Sequence, residues 1–140
     1  LEYCVGGDYL FADADLTLRM EYYHQGRGVT KKADYNFYNL MKGLSTGQAL
    51  QAEDYLFVSL EKTFLNYYTL TFGTFLNCND GSFILLPELN YNAADNLEVI
   101  LGSVVPCGEK GSEFNGTWQV DGGKIECLRP SIYVQARLSF

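Results

Sequence analysis

Apolar and polar side chains alternate along most of this chain, and that two-residue period constrains the fold more than any other feature of the sequence. In "SIYVQARLSF" (131–140), Ile132, Val134, Ala136, Leu138 and Phe140 fall on one face of an extended strand, and Tyr133, Gln135, Arg137 and Ser139 fall on the other. One face is greasy and the other is wet. Residues 15–24 repeat the pattern, with Leu16, Leu18, Met20 and Tyr22 opposed to Thr17, Arg19, Glu21 and Tyr23. Helical spacing extends over no comparable length, so the chain reads as all-β.

Seven such strands follow one another. The first, 1–11, is weakened by Gly6 and Gly7 and ends at the turn "ADAD". After 15–24 come "DYLFVSLEKTF" (54–64) and "YYTLTFGTFLN" (67–77), a hairpin turned at Leu65 and Asn66. The turn "CNDGS", whose Asp80 and Gly81 suit positive φ, leads into "SFILLPELNYN" (82–92), where Pro87 would sit badly in the middle of a soluble sheet. "LEVILGSVVP" (97–106) and the C-terminal stretch complete the series. Two long polar segments, about 25–53 and 107–129, interrupt it, whereas the connections at about 12–14, 65–66 and 93–96 are short. Within the first long segment "ADYNFYNLMKGL" offers a short helix, with Tyr35, Tyr38 and either Met41 or Lys42 on one side.

Composition removes several classes of function. The 140 residues carry 11 Tyr and 9 Phe, strand-forming material, but no run approaches the roughly 18 apolar residues of a membrane-spanning helix. A membrane would have to be crossed by strands. The net charge of −7 argues against nucleic acid as a partner, because phosphate binding rests on clustered Lys and Arg. Cys4, Cys78, Cys107 and Cys127 include no CxxC pair, so neither a zinc site nor a redox dithiol is expected. Cys107 with Cys127, the pair nearest in sequence, is the candidate disulfide, and four separate thiols are the alternative. His24 lacks a second His or a neighbouring nucleophile in any recognisable motif, so no catalytic residue, metal or cofactor is assigned. Asp13 with Asp15, or Asn79 with Asp80, would hold calcium weakly at best, and turn chemistry accounts for both pairs. The opening "LEYCVGGDYL" has neither the basic start nor the apolar stretch of a secretory signal and reads as the inside of a strand.

Strand length favours a bilayer: each alternating stretch is near the 9–11 residues that a tilted strand needs to cross one, against about 5–6 for an average soluble strand. The connections also sort by side, as outer-membrane barrels pair short periplasmic turns with longer extracellular loops. The C-terminal Phe140, with apolar residues at alternate positions back to Ile132, resembles the β-signal read by the outer-membrane assembly machinery of Gram-negative bacteria. A longer portion, from "LTLRMEYYHQGRG" through "YLFVSLEKTFLNYYTLTFGTFLNCNDGSFILLPELNYNAADNLEVILG" to the end, is similar to the C-terminal half of porin-like proteins related to the alginate-export and DUF1302-type barrels. The resemblance implies an antiparallel transmembrane β-barrel in a Gram-negative outer membrane, with the lipid bilayer and the assembly machinery as partners. It carries no substrate with it.

On that architecture the wet faces line a lumen and hold Arg19, Glu21, Glu61, Glu88, Glu98 and Arg137, which set the field felt by a passing solute or pair across strands to hold the wall in register. Tyr9, Tyr22, Phe64, Tyr67, Tyr68, Tyr91 and Phe140 fall near strand ends, where aromatic rings suit a membrane interface. Lys62, alone on the greasy face, can extend its ammonium to that interface. The expected function is a porin-like channel for passive passage of small solutes or ions, not an enzyme. The alternatives are a barrel sheathing a plug, a lipoprotein or an electron-transfer protein, and a soluble lipocalin-like binding barrel. Seven is an odd number, and single-chain bacterial barrels usually have an even one, so upstream strands or further chains are expected to complete the wall.

Overall fold

A computed structural model describes residues 1–35, 50–115, 117–120, 123–126 and 128–139, together with Tyr38, Met41 and Ser45, and gives the segments 117–120 and 123–126 by their backbone. The alternating stretches become strands β1 (Glu2–Phe11), β2 (Leu16–Gln25), β3 (Asp54–Phe64), β4 (Tyr68–Asn77), β5 (Phe83–Ala94) and β6 (Leu97–Cys107). Two short strands, β7 (Thr117–Val120) and β8 (Gly123–Glu126), precede the last, β9 (Ser131–Leu138). Seven strands form one antiparallel sheet in the order β1-β2-β3-β4-β5-β6-β9, and β7 and β8 pair only with each other. The sheet is not closed: β1 and β9 are its two edges. The β7–β8 hairpin lies inside the second long polar segment, which sequence reading treats as loop throughout; at four residues per strand the alternation is too short to register.

Each turn has a local cause. A 3-10 turn at Ala12–Ala14 ends with Asp15 in the left-handed region, and β3 passes to β4 through Leu65 and Asn66, both at positive φ. This is the type I′ geometry whose twist matches a hairpin, with Tyr67 N–H bonded to Phe64 C=O at 3.2 Å. At the β4–β5 connection Asn77 Oδ1 accepts the N–H groups of Asn79 and Asp80, at 2.8 and 3.2 Å. Asp80 Oδ1 in turn accepts Ser82 N–H and Oγ–H at 2.7 and 2.6 Å, and Gly81 takes φ 75°. Turn chemistry thus occupies Asp80, and among the described residues no group of three or more potential metal ligands gathers anywhere. Pro87 sits inside β5 opposite Phe72 of β4. On its other side the register with β6 passes from Leu85↔Val105 to Glu88↔Gly102 without a paired residue at Leu86 or Pro87, consistent with the missing proline N–H.

The three short turns lie at one end of the sheet and the longer connections at the other, hereafter the turn end and the loop end. A single cluster of buried apolar residues occurs among the described residues: Tyr35, Ala52, Tyr55 and Phe114, with Tyr23, Val29, Leu50, Phe75 and Ile84 packed on it. It sits at the loop end. Tyr35 belongs to this cluster in extended backbone, while Tyr38 and Met41 are helical and exposed, so the three do not share a buried helical side; Lys42 is outside the described residues.

Candidate functional site

Register shows how completely the two faces differ. The row Phe11, Leu16, Lys62, Leu70, Leu89, Leu101, Val134 crosses all seven strands, each residue directly opposite the next, and only Lys62 in it is polar. One residue along each strand, the row on the other face is Leu10, Thr17, Glu61, Thr71, Glu88, Gly102, Tyr133. The apolar face is uncovered: Val5, Phe72, Leu101, Ile132 and Val134 are among its exposed residues, Ile132 at 79%. A sheet in a water-soluble domain buries such a face against another layer.

The polar face brings the sequence-derived lining residues together. Arg19 stands opposite Asp8 on β1 and Ser59 on β3, Glu21 opposite Gly6 and Phe57, and Glu61 opposite Thr17 and Thr71. Glu98 and Arg137 form an ion pair of 2.7 Å across β6 and β9, and Asn90 Nδ2 donates to the other Glu98 oxygen. Glu88 accepts Tyr133 O–H at 2.8 Å from a strand two places away. That reach depends on Gly102 between them, since a Cβ there would collide with the Tyr133 ring. The same face also carries Glu2 and Asp8, which share that side of β1 with Cys4 and Gly6 and alternate with Tyr3, Val5 and Gly7. Six carboxylates, Glu2, Asp8, Glu21, Glu61, Glu88 and Glu98, therefore share this face with two guanidiniums, Arg19 and Arg137.

Aromatic residues gather at the strand ends of the apolar face. At the turn end Tyr68 and Tyr91 stack with centroids 4.7 Å apart, Tyr9 and Phe11 meet edge to face at 4.7 Å, and Lys62 Nζ lies 5.4 Å from the Phe64 ring. Tyr67 is exposed in the turn. At the loop end Tyr3 stacks on His24 at 5.0 Å, Tyr22 donates its O–H to Asp54, and His24 Nδ1 lies 2.8 Å from the same carboxylate. Phe140 lies outside the described residues. Cys4, Cys78 and Cys107 are free thiols and Cys127 is outside the described residues, so the expected Cys107–Cys127 bridge finds no support.

At the loop end the long connections fold back over the polar face. Gln25 Nε2 donates to the carbonyls of Leu50 and Ala52, and Val29 N–H donates to Gln51 C=O at 2.8 Å, which ties the first long segment to the end of β2. From the second, Glu113 enters a socket on β3 and β4. Its Oε2 accepts Tyr55 O–H and Asn77 Nδ2–H, each at 2.7 Å, and its Oε1 accepts Gln51 N–H at 2.6 Å. Phe114 packs at a tilt against Tyr55 and Phe75, with ring centroids 6.3 and 5.7 Å away. Asn77 also donates to Tyr35 O–H at 3.0 Å, and burial pushes the Tyr35 phenol up to about 12. Sequence reading missed Glu113, because a polar loop residue shows no period and its socket is assembled from strands distant in sequence. Against known protein families, curated proteins and solved structures, the chain matches none.

Proposed function

We propose that this sheet is part of the wall of an outer-membrane β-barrel whose polar face lines a passive channel for small solutes or ions. The observation that carries the reading is the uncovered apolar face, continuous across seven strands of 8–12 residues and backed by a face that carries the charged residues Arg19, Glu21, Glu61, Glu88, Glu98 and Arg137. Lipid covers such a face in a barrel, and the charged face then meets water. Aromatic clusters at both strand ends suit the two interfaces, and Lys62, beside Phe64, can send its ammonium toward the headgroups. The porin-like alternating pattern of the sequence supports the same reading. In this arrangement the acidic excess on the polar face favours cations in the bore.

A second reading, a barrel with an occupied lumen, is favoured by the Glu113 and Phe114 contacts, which already fill the loop end of the polar face. Planar-bilayer recording on the protein in its native assembly separates the two. Stepwise ohmic conductance is the expected result. An assembly that inserts but passes no current favours the occupied barrel, and a protein that stays in the aqueous fraction without detergent sinks both.

A further inference from the structure

The turn end of the sheet holds a cavity of about 540 Å³ between the β3–β4 turn and the last residues of β5. Asn66 and Tyr67 line it from that turn, Tyr68 from the start of β4, Tyr91 and Asn92 from β5, and Asp95 from the β5–β6 turn. The backbone fixes these walls. Asn92 N–H donates to Tyr67 C=O at 2.8 Å, which ties β5 to the neighbouring turn. Beyond that bond the pairing of β5 with β6 passes from Asn92↔Glu98 to Ala94↔Leu97, so Ala93 is an unpaired bulge residue in the wall of the cavity. A bulge re-aims the chain that follows it, and here that chain leads to Asp95.

The lining has a definite chemistry. Tyr68 and Tyr91 stand opposite each other and stack at 4.7 Å, and each remains 37% exposed, so part of each ring is open to a ligand. Asp95 is the one charged residue in the lining, and no cationic side chain pairs with it among the described residues. Aromatic faces carry the negative end of the ring quadrupole, and the carboxylate adds a full negative charge. Such a wall attracts a cation and, without Lys or Arg, offers nothing to an anion. Asn66 and Asn92 bring amide oxygens able to accept N–H. One carboxylate falls well short of the roughly six to eight oxygens of a calcium site, whereas rings beside a carboxylate suit an organic ammonium.

The position of the cavity selects the source of that ammonium. Phe64, Tyr68 and Tyr91 form a row of the apolar face at this end, and the next row on that face is Lys62, Leu70, Leu89. A molecule with its polar end in the cavity can lay an apolar tail along Leu70, Leu89 and Leu101. We propose that this cavity binds the headgroup of a lipid that ends in a primary ammonium, with Asp95 as counter-charge, tyrosine rings beside the cation and the acyl chains on the apolar face. The site rests on the lipid-facing reading of that face and not on conductance.

Native mass spectrometry of the assembly released from micelles counts retained lipid directly. Offered equal amounts of phosphatidylethanolamine and phosphatidylglycerol of one chain length, the protein is expected to retain the ethanolamine lipid about threefold or more over the glycerol lipid. Asp95→Asn should cut that preference by about threefold, and Tyr68→Leu by a similar factor. Asp13→Asn removes the same charge from the β1–β2 turn at the same end and should leave the preference unchanged. Equal retention of the two lipids overturns the site, and so does an equal loss in Asp95→Asn and Asp13→Asn, since net charge would then account for the preference. Free ethanolamine at the lipid's concentration should not displace it; full displacement overturns the lipid as the source. Insertion into vesicles without a preference removes the site and leaves the lipid-facing reading, and a missing current with the preference intact removes the channel and leaves the site. A protein that stays in the aqueous fraction without detergent loses both.

Discussion

Leu65 is the residue most at odds with its backbone. It stands 80% exposed at φ 52°, in a left-handed conformation that a leucine side chain disfavours and that asparagine tolerates. Replacing it should therefore relieve strain without removing packing. Leu65→Asn is expected to stabilise the folded sheet by about 1 kcal/mol, measured as a shift in the urea midpoint at unchanged slope. An unchanged or lowered midpoint would show that the leucine has a partner outside these residues. Gly102 is the opposite case, since its missing Cβ is what lets Tyr133 cross to Glu88. A glycine in a strand is visible in sequence, but the ring that covers it comes from β9, and no local pattern announces that.

At the scale of the strand, side-chain facing decides what a charge costs. Leu101 lies on the apolar face between Leu89 and Val134, and Thr71 lies on the polar face between Glu61 and Glu88. On the lipid-facing reading, Leu101→Arg should cost about 2–4 kcal/mol of folding free energy in vesicles, because an arginine near the bilayer midplane must be hydrated or snorkel. Thr71→Arg should be neutral or stabilising, because it places a cation between two carboxylates. Equal penalties at the two positions would mean that the apolar face is not in lipid. This division was legible in the sequence from period alone, as were six of the strands to within a residue or two of their ends and the two short turns around Ala12–Ala14 and Leu65–Asn66.

For the whole molecule, strand direction limits how the sheet can close. β1 runs from the loop end, where Glu2 pairs with Gln25, to the turn end. β9 runs the same way, from Ser131 opposite Val104 to Leu138 opposite Leu97. Joined directly, within one chain or around a ring of identical copies, these edges would make a parallel seam. An all-antiparallel barrel needs an odd number of further strands between them. With the native cysteines replaced, Asp8→Cys and Gln135→Cys should therefore not cross-link under oxidation in the folded assembly. A disulfide between them would place β1 beside β9 and remove the need for additional strands.

The sequence by itself determined the all-β character, the facing of each long strand and the division into short turns and long connections, because a two-residue period is local and repeats often enough to read. Only the tertiary structure decided strand order, the shared direction of both edges, and the return of the long segments onto the polar face. Those depend on contacts between residues far apart in the chain, such as Tyr55 with Glu113 and Glu88 with Tyr133, for which nearby sequence carries no period.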